Sequence, residues 1–149
     1  MEDVIRLRRV EESDCGLIYQ WANDPETRKN SLNKAQILYE DHCRWFEGKL
    51  QDGDCDFFVC ELKTKAVGQI RLDYLKGSAV ISYSVAKDFR GQGLGSQMLK
   101  LVEEQVKENI LYLYGIVKKE NIASQRAFAK NGYERQEVVE GYRYCKAIM

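Results

Sequence analysis

Three alternate glycines most constrain the fold of this 149-residue chain. Gly91, Gly93 and Gly95 fall between a strand-like segment, residues 79–85, and a stripe of apolar residues at helical spacing. Glycine has no Cβ and adopts positive φ, so the backbone can curl closely round a ligand at these positions. The first turn of a helix adds unpaired N–H groups and a positive dipole end, which bind phosphate. The pattern therefore predicts a strand–loop–helix unit that holds a diphosphate, with Arg90 adding a charge-assisted contact.

The spacing argues against two common nucleotide-binding loops. A P-loop ends in Gly-Lys-Ser/Thr, whereas Ser96 and Gln97 follow Gly95 in this chain. A dinucleotide fingerprint requires Gly-x-Gly-x-x-Gly within a βαβ unit, but Gly91, Gly93 and Ser96 match it poorly. The alternative without a ligand is that the glycines only allow tight turns at the end of a strand. Their number and spacing before a clean helix favour the binding loop.

Hydrophobic periodicity predicts a mixed α/β order in a single domain over residues 1–149. Strands are predicted at residues 4–9, 57–62, 66–73, 79–85, 111–117, 133–139 and 142–148. Helices are predicted from a cap at Ser13 and Asp14 to residues 23–25, over residues 39–50, from Leu94 to near Asn109, and over residues 121–130. Short connections between the second, third and fourth strands indicate an antiparallel meander.

Composition narrows the expected partners and location. The 23 Lys and Arg residues balance 23 Asp and Glu residues, so no long-range field favours nucleic acid or an anionic membrane. A charged N-terminal segment and no apolar run of ~20 residues predict a cytoplasmic protein without a membrane span. Five unevenly spaced cysteines then favour reduced thiols, and a single histidine offers no set of zinc ligands. No metal is expected.

Two separate motifs resemble the Gcn5-related N-acetyltransferase (GNAT) family. The pattern Arg/Gln-x-x-Gly-x-Gly/Ala appears as Arg90-Gly91-Gln92-Gly93-Leu94-Gly95. Residues 121–133 are similar to the family's segment of Asn-x-x-Ser, an aromatic residue and Gly-aromatic. With the order of elements, the resemblance covers essentially the whole chain. It implies a twisted, mixed but mostly antiparallel sheet of six to seven strands, splayed between residues 79–85 and 111–117 and flanked by about four helices.

The resemblance implies an N-acetyltransferase that passes an acetyl group from acetyl-coenzyme A, its cosubstrate, to a primary amine. Coenzyme A would enter the splayed sheet, and the Val85 N–H would face the thioester oxygen. A preorganised donor at that position is worth ~3 kcal/mol in the transition state. The implied coenzyme-binding residues are Ser84, Val85, Ala86, Arg90, Gly91, Gln92, Gly93, Leu94, Gly95, Ser96, Asn121, Ser124 and Phe128.

The sequence does not identify the proton acceptor. Many relatives carry a glutamate in the strand before the glycine loop, and this strand has no carboxylate. The candidates are His42, whose ordinary pKa near 6.5 suits proton transfer, and Tyr83, acting through a water. The alternative is that both are packed structural residues. Relatives often have a tyrosine as general acid where this chain has Phe128, so Tyr114 and Tyr133 are candidate substitutes.

The first third of the chain is expected to shape the acceptor site, because the early helices cover the substrate end of the cleft in this family. Residues 21–31 and 42–46 resemble the subgroup that acetylates nucleotide-activated amino sugars. Trp21 and Trp45 would offer faces to the sugar ring, and Arg28 would pair with its phosphates. The alternative is that the tryptophans are core residues and the cation is solvated.

Two further hypotheses follow from the same residues. A protein N terminus or a lysine side chain is an alternative acceptor. The balanced composition neither supports nor excludes it. The alternative that is not an enzyme is a coenzyme A-binding module without turnover. The absence of a carboxylate in the strand before the glycine loop and the presence of Phe128 in place of tyrosine motivate it. A monomer or a homodimer is expected.

Overall fold

The computed structural model describes residues 4–148. Its strands are β1 (Ile5–Arg9), β2 (Cys55–Leu62), β3 (Lys65–Leu75), β4 (Ser78–Val85), β5 (Tyr112–Val117), β6 (Glu134–Val138) and β7 (Gly141–Ala147). Its α-helices are α1 (Cys15–Ala22), α2 (Pro25–Lys29), α3 (Tyr39–Gln51), α4 (Leu94–Glu103) and α5 (Ile122–Lys130). The strands form one sheet in the order β1-β2-β3-β4-β5-β7-β6, in which only β4 and β5 are parallel neighbours among the described residues.

Strand β2 contributes apolar side chains to both faces of the sheet. Successive strand residues point in opposite directions. Phe58 and Cys60 accordingly join one buried cluster, whereas Phe57 and Val59 join another. The nearly continuous apolar sequence of β2 is therefore the signature of a strand covered on both sides.

Helices α4 and α5 cover the face with the larger cluster. Leu94, Met98, Leu99 and Val102 recur at helical spacing in α4 and are buried there with Phe128 of α5. Fully burying a side chain of this size contributes about 1.5–3 kcal/mol of transfer free energy. This stripe therefore holds the start of α4 firmly against the sheet.

Helices α1 and α3 cover the opposite face. Ile18 of α1 and Phe46 of α3 are 2% and 1% exposed, and they pack with Phe57 and Val59. Trp21 packs at the margin of this cluster. The two early helices are thus held together on the face opposite α4 and α5.

Strands β4 and β5 diverge along their length. Their pairing joins only residues 78–80 of β4 to residues 112–114 of β5. Beyond these residues, β4 stays paired with β3 as far as Val85, and β5 stays paired with β7 as far as Val117. A V-shaped opening therefore separates the two strand ends. The predicted fold class, with its splayed parallel pair, is confirmed.

The predicted extent of α4 was wrong. The helix ends at Glu103 and not near Asn109. The Gln105 N–H donates to the Val102 carbonyl only three residues back, which tightens the last turn. Asn109 then has a φ of 70°, which is incompatible with a continuing helix.

The five-residue helix α2 was not predicted. Residues 23–25 end α1 as expected, but Pro25 also begins the next helix. Asp24 caps α2 by accepting a hydrogen bond from the Thr27 N–H at 3.1 Å. Proline suits the first helical position because that position's N–H has no intrahelical acceptor.

Candidate active site

The edge of β4 that does not bind β3 faces the V-shaped opening. The Ala86 N–H donates to the Val67 carbonyl of β3 at 2.8 Å. Because bonding directions alternate along an antiparallel strand, the Val85 N–H points away from β3. The Val85 carbonyl has the same direction and accepts from Arg90 Nε at 3.1 Å. The Val85 amide is therefore presented to the opening.

The loop after β4 turns through two left-handed glycines. Gly91 and Gly93 have φ values of 78° and 77°. A Cβ added to Gly93 would meet no neighbouring atom within 4 Å in the described structure, so the backbone is open on that side. The first amide bonded within α4 is that of Gln97, which donates to the Gly93 carbonyl. The amides of residues 94–96 precede it and form the positive end of the helix.

The Arg90 side chain leaves this loop and reaches α2. Its Nη2 lies 2.6 Å from Asp24 Oδ2, and its Nη1 lies 2.8 Å from Glu26 Oε2. Burial raises the pKa of Asp24, but the hydrogen bonds from Arg90 and Thr27, together with the charge of Arg90, outweigh burial and lower the pKa overall. The carboxylate is therefore ionised at neutral pH. The sequence predicted that the Arg90 side chain contacts a diphosphate. In this structure its guanidinium contacts two carboxylates.

Tyr83 lies beneath the start of α4. Its hydroxyl is 2.9 Å from the Ser124 hydroxyl of α5. A Cβ on Gly95 would come within 3.1 Å of the Tyr83 ring, so glycine allows α4 to begin this close to β4. Burial raises the pKa of Tyr83, and the hydroxyl keeps its proton at neutral pH. This environment suits a proton donor and disfavours the predicted role as a base.

Helix α5 forms the other side of this region. The Asn121 side chain caps the helix by accepting from the Ser124 N–H at 3.2 Å. Phe128 is 2% exposed, stacks on Tyr144 at a ring-centroid distance of 5.4 Å, and meets Tyr83 edge-on at 6.0 Å. Phe128 therefore belongs to the core under the opening.

The other predicted coenzyme-binding residues lie along the same strand, loop and helix. Ser84 Oγ accepts a hydrogen bond from Gln69 Nε2 at 3.0 Å, so this side chain is engaged with β3. The Ser96 carbonyl accepts from Asn131 Nδ2 at 2.9 Å, which joins the first turn of α4 to the end of α5. Gln92 is exposed in the loop. The structure thus brings both sequence motifs to one end of the opening.

A cleft of about 330 Å³ adjoins the end of β4. Leu17 and Trp21 of α1 line one side, and Val85 lines another. Asp24 and Arg90 also line it, so their ion pair is part of its surface. The cleft therefore joins the Val85 region to α1 and the capping residue of α2.

His42, in α3, packs against α1 and is not among the residues that line this cleft. It is 2% exposed, and its Nε2 lies 3.1 Å from the Cys15 carbonyl oxygen. Its ring centroid lies 5.7 Å from that of Trp45 and 5.9 Å from that of Phe46. Burial lowers the pKa of His42, which keeps the ring neutral. The structure therefore assigns His42 to packing and does not bring it to the site as a base.

Arg28 and Trp45 are also engaged within the protein. Arg28 Nε donates to the Ala22 carbonyl at 2.7 Å, and Nη1 donates to carbonyls of the loop after α2. The Arg71 guanidinium lies 5.0 Å from the Trp45 ring centroid, and 38% of the tryptophan is exposed. Trp21, in contrast, lines the cleft. Of the three residues predicted to bind the acceptor, Trp21 is the one that lines the cleft.

Residues 4–148 contain neither a metal-binding cluster nor a membrane-spanning helix. No group of three or more His, Cys, Asp or Glu side chains is placed to hold a metal ion. None of the helices described is long and apolar enough to cross a membrane.

Comparison with known proteins places this site in a family. Residues 5–134 match the model of the acetyltransferase (GNAT) domain. The chain belongs to the GNAT family. In this GNAT domain the two motifs that suggested the family meet at the divergent ends of β4 and β5.

An uncharacterized N-acetyltransferase of Methanocaldococcus jannaschii is 33% identical to this GNAT chain over 118 residues, which are 70% of the chain and 51% of the relative. The chain spans about half the length of the curated relatives it matches. Many solved structures share its fold, including the following two complexes with coenzyme A. AAC(6′)-Ib, in complex with ribostamycin and coenzyme A, has a TM-score of 0.85 and 17% identity, with 97% of this chain and 94% of that chain covered. The spermidine N-acetyltransferase from Vibrio cholerae, in complex with coenzyme A and spermine, has a TM-score of 0.85 and 16% identity. The match covers 96% of this chain and 95% of that chain.

Asp24 is the site residue that sequence reasoning missed. The order Asp24-Pro25-x-Thr27 is the signature of a helix start, and it could have revealed the cap of α2. Its ion pair with Arg90 joins positions 66 residues apart. No local pattern indicates a contact at that separation.

Proposed function

We propose that this GNAT chain transfers the acetyl group of acetyl-coenzyme A to a primary amine. The observation that carries the proposal is the Val85 amide at the V-shaped opening, next to the first turn of α4. A strand edge that lacks a neighbour can pair with an extended ligand through its backbone. The opening thus offers a site for an extended chain that ends in a phosphate group.

The residues of the glycine loop fit the diphosphate of coenzyme A. The amides of residues 94–96 point out of the start of α4, where the helix dipole favours negative charge. The open space beside Gly93 leaves room for phosphate oxygens close to the backbone. The Arg90 guanidinium is instead held by Asp24 and Glu26 at the start of α2. We assign the diphosphate contacts to backbone amides.

Val85 and Tyr83 supply the two hydrogen-bond donors that acyl transfer requires. The Val85 N–H would stabilise the negative charge that develops on the carbonyl oxygen, an effect worth ~3 kcal/mol. Tyr83, paired with Ser124, would donate a hydrogen bond or a proton to the departing sulfur. A thiol with a pKa near 8.5 is a tolerable leaving group, so this assistance is moderate. Phe128 has no such role in the proposal.

The acceptor amine loses its proton to water in the open cleft. An alkylammonium with a pKa near 10.4 costs about 5 kcal/mol to deprotonate at neutral pH. Asp24 is a poor proton acceptor, because its pKa is lowered and Arg90 occupies it. His42 is enclosed between helices. Deprotonation thus precedes attack and is set by the pKa of the amine.

The acceptor enters by its amine-bearing end. A volume of about 330 Å³ is at the small end of the range for ligand sites. An amino sugar would place its ring against Trp21, and an attached nucleotide would extend outside the cleft. A protein N terminus or a lysine side chain also fits, since each presents a slender amine-bearing end. The nucleotide-linked amino sugar is our first candidate, on the resemblance of residues 21–31 and 42–46.

Thiol release from acetyl-coenzyme A tests the proposal. The purified chain is incubated with a nucleotide-linked amino sugar, a polyamine and peptides with free N termini, and acetylated products are identified by mass spectrometry. At least one amine should give stoichiometric thiol and acetylated product. Coenzyme A binding in calorimetry without thiol release from any amine would instead identify a binding module without turnover.

Two variants of one residue test the central observation. Val85→Pro removes the proposed donor, whereas Val85→Ala retains it with a smaller side chain. Loss of one such donor costs roughly 100-fold or more in kcat. Val85→Pro should therefore lose that much while Val85→Ala stays near the parent rate. Equal rates would overturn the assignment of the Val85 amide.

A further inference from the structure

Two thiols meet where α1 packs against α3. Cys15 Sγ and Cys43 Sγ lie 3.8 Å apart, although the residues are 28 positions apart in sequence. Both residues are partly exposed, whereas Cys55 and Cys60 are buried. An S–S bond is about 2.05 Å long, so the two sulfurs need to approach by about 1.8 Å. Cysteines placed this way can react with each other and with a reagent from solution.

We propose that Cys15 and Cys43 are a modification site at which a reversible disulfide joins α1 to α3. Both residues belong to helices, so the bond would link two elements that already pack on the same face of the sheet. The pair lies outside the β4 edge and the glycine loop.

The reaction balances with a low-molecular-weight disulfide as oxidant. One cysteine, as its thiolate, attacks a sulfur of the reagent, which breaks the reagent's S–S bond and releases one small thiol. The second cysteine then attacks the protein sulfur of the mixed disulfide and releases the second small thiol. The two protein thiols are oxidised, the reagent is reduced to two thiols, and the protein's two protons go to those products.

The surroundings of the pair make this reaction slow at neutral pH. Burial, followed by the hydrogen bond with Cys43, raises the pKa of Cys15, so little thiolate exists at neutral pH. Cys43 also raises the pKa of the exposed Tyr39 hydroxyl, and Tyr39 packs edge-on against Tyr19 at 5.0 Å. The carboxylate of Glu47 adds to the effect on Cys15. Formation of the bond at neutral pH is therefore limited by the small fraction of Cys15 thiolate.

The bond would act on the acceptor cleft through α1. Cys15 begins this helix, and Leu17 and Trp21 of the same helix line the cleft. Fixing the first turn of α1 to α3 limits how far α1 can move when an amine enters. This consequence rests on the proposed function, whereas the disulfide itself does not.

Intact-mass analysis of the full chain after incubation with oxidised glutathione tests the chemistry. The parent protein should lose two alkylatable thiols and the mass of two hydrogens, with no glutathione attached, and a reductant should restore both thiols. Cys15→Ser and Cys43→Ser should each retain one glutathione on the remaining cysteine. Cys145→Ser is the matched control, because Cys145 is also partly exposed but lies in β7, and it should behave as the parent does.

Several outcomes would overturn the site. The parent protein could keep all five thiols after denaturation and alkylation, or it could carry glutathione without an internal bond. Peptide mapping that joins any other two cysteines would also contradict it. Cys15→Ala and Cys43→Ala provide a second pair of variants, with circular dichroism as the check that each folds.

Kinetics of the oxidised and reduced forms test the effect on the cleft. Oxidation should change the KM for the amine at least 3-fold and leave coenzyme A affinity within 2-fold, and a reductant should reverse the change. An unchanged KM in a fully oxidised sample would refute the coupling. If no amine is acetylated at all, the proposed function fails, while the mass result still decides whether the disulfide forms.

Discussion

Arg90 and Asp24 form an ion pair that joins the glycine loop to the cap of α2. Arg90 Nη2 lies 2.6 Å from Asp24 Oδ2, and 27% and 14% of the two side chains are exposed. The same carboxylate oxygen accepts from the Thr27 N–H, and the same guanidinium donates to the Val85 carbonyl. One interaction thus connects the strand edge, the loop and the cleft proposed to bind the acceptor.

Replacing Arg90 with lysine should weaken acceptor binding more than coenzyme binding. Lysine keeps the charge but cannot contact Asp24, Glu26 and Val85 together. We expect the KM for the amine to rise by roughly 10-fold, a loss of about 1.4 kcal/mol, with coenzyme A affinity within 2-fold of the parent. Arg126→Lys, at an exposed position in α5, is the control. A large loss of coenzyme A affinity in Arg90→Lys would show that the Arg90 side chain contacts the diphosphate.

Substituting Gly93 should impair coenzyme binding directly. Its φ of 77° costs an L-residue roughly 1–2 kcal/mol, and a new side chain would project into the space left for phosphate. Gly93→Val should therefore lower coenzyme A affinity by at least about 10-fold in calorimetry, with a modest loss of stability. Gly48→Ala, in the middle of α3 and free of close contacts, should leave affinity unchanged. Unchanged affinity in Gly93→Val would contradict the loop assignment.

Removing the Tyr83 hydroxyl should slow transfer without loosening binding. Tyr83→Phe keeps the ring against Phe128 and loses only the contact with Ser124. General-acid assistance contributes roughly 100-fold in rate, and a thiol needs less of it, so we expect kcat to fall by roughly 10- to 100-fold. The KM values should stay within 2-fold. Tyr112→Phe, at an exposed position in β5, is the control, and equal losses in both variants would show that the Tyr83 hydroxyl takes no part in the reaction.

The pH dependence of kcat/KM should follow the amine and not an enzyme histidine. Burial lowers the pKa of His42, so this ring is already neutral at pH values where a general base would titrate. The logarithm of kcat/KM should rise linearly with pH toward the pKa of the acceptor, without a break near 6.5. An inflection near 6.5 that disappears in His42→Gln would show that His42 takes the proton.

Acid should destabilise the fold through Asp14. Arg8 Nη1 lies 2.8 Å from Asp14 Oδ2. The hydrogen bond from Arg8 outweighs the effect of burial and lowers the pKa of Asp14. The folded-state pKa lies below the ordinary value of 3.8, so the carboxylate stabilises the native state above that value. This contribution is lost as the pH falls through the folded-state pKa.

Urea unfolding of Asp14→Asn measures that contribution. At pH 7 the variant should be about 2 kcal/mol less stable than the parent, because the Arg8 guanidinium loses its charged partner. The difference should shrink as the pH falls below 4. Asp41→Asn, in the exposed pair with Arg44, should change stability little at either pH. A constant difference for Asp14→Asn at all pH values would rule out the ionic contribution.

Most of the framework could be predicted from local patterns. Hydrophobic patterns bounded by turn residues located all seven strands to within a few residues, and the glycines with the Leu94 stripe located the start of α4. Local patterns were less successful where several weak signals compete. Residues 104–109 continue the helical spacing with Val106 but form turns, and Pro25 ends one helix while beginning another.

The sequence by itself determined the order of elements, the glycine loop and the family, because each depends on residues close together in the chain. Only the tertiary structure decided which polar groups meet. It directed Arg90 to α2, enclosed His42 between helices, set Tyr83 against Ser124 and brought Cys15 to Cys43. Each outcome depends on packing between segments 27 to 66 residues apart, and separations of this size leave no trace in local periodicity.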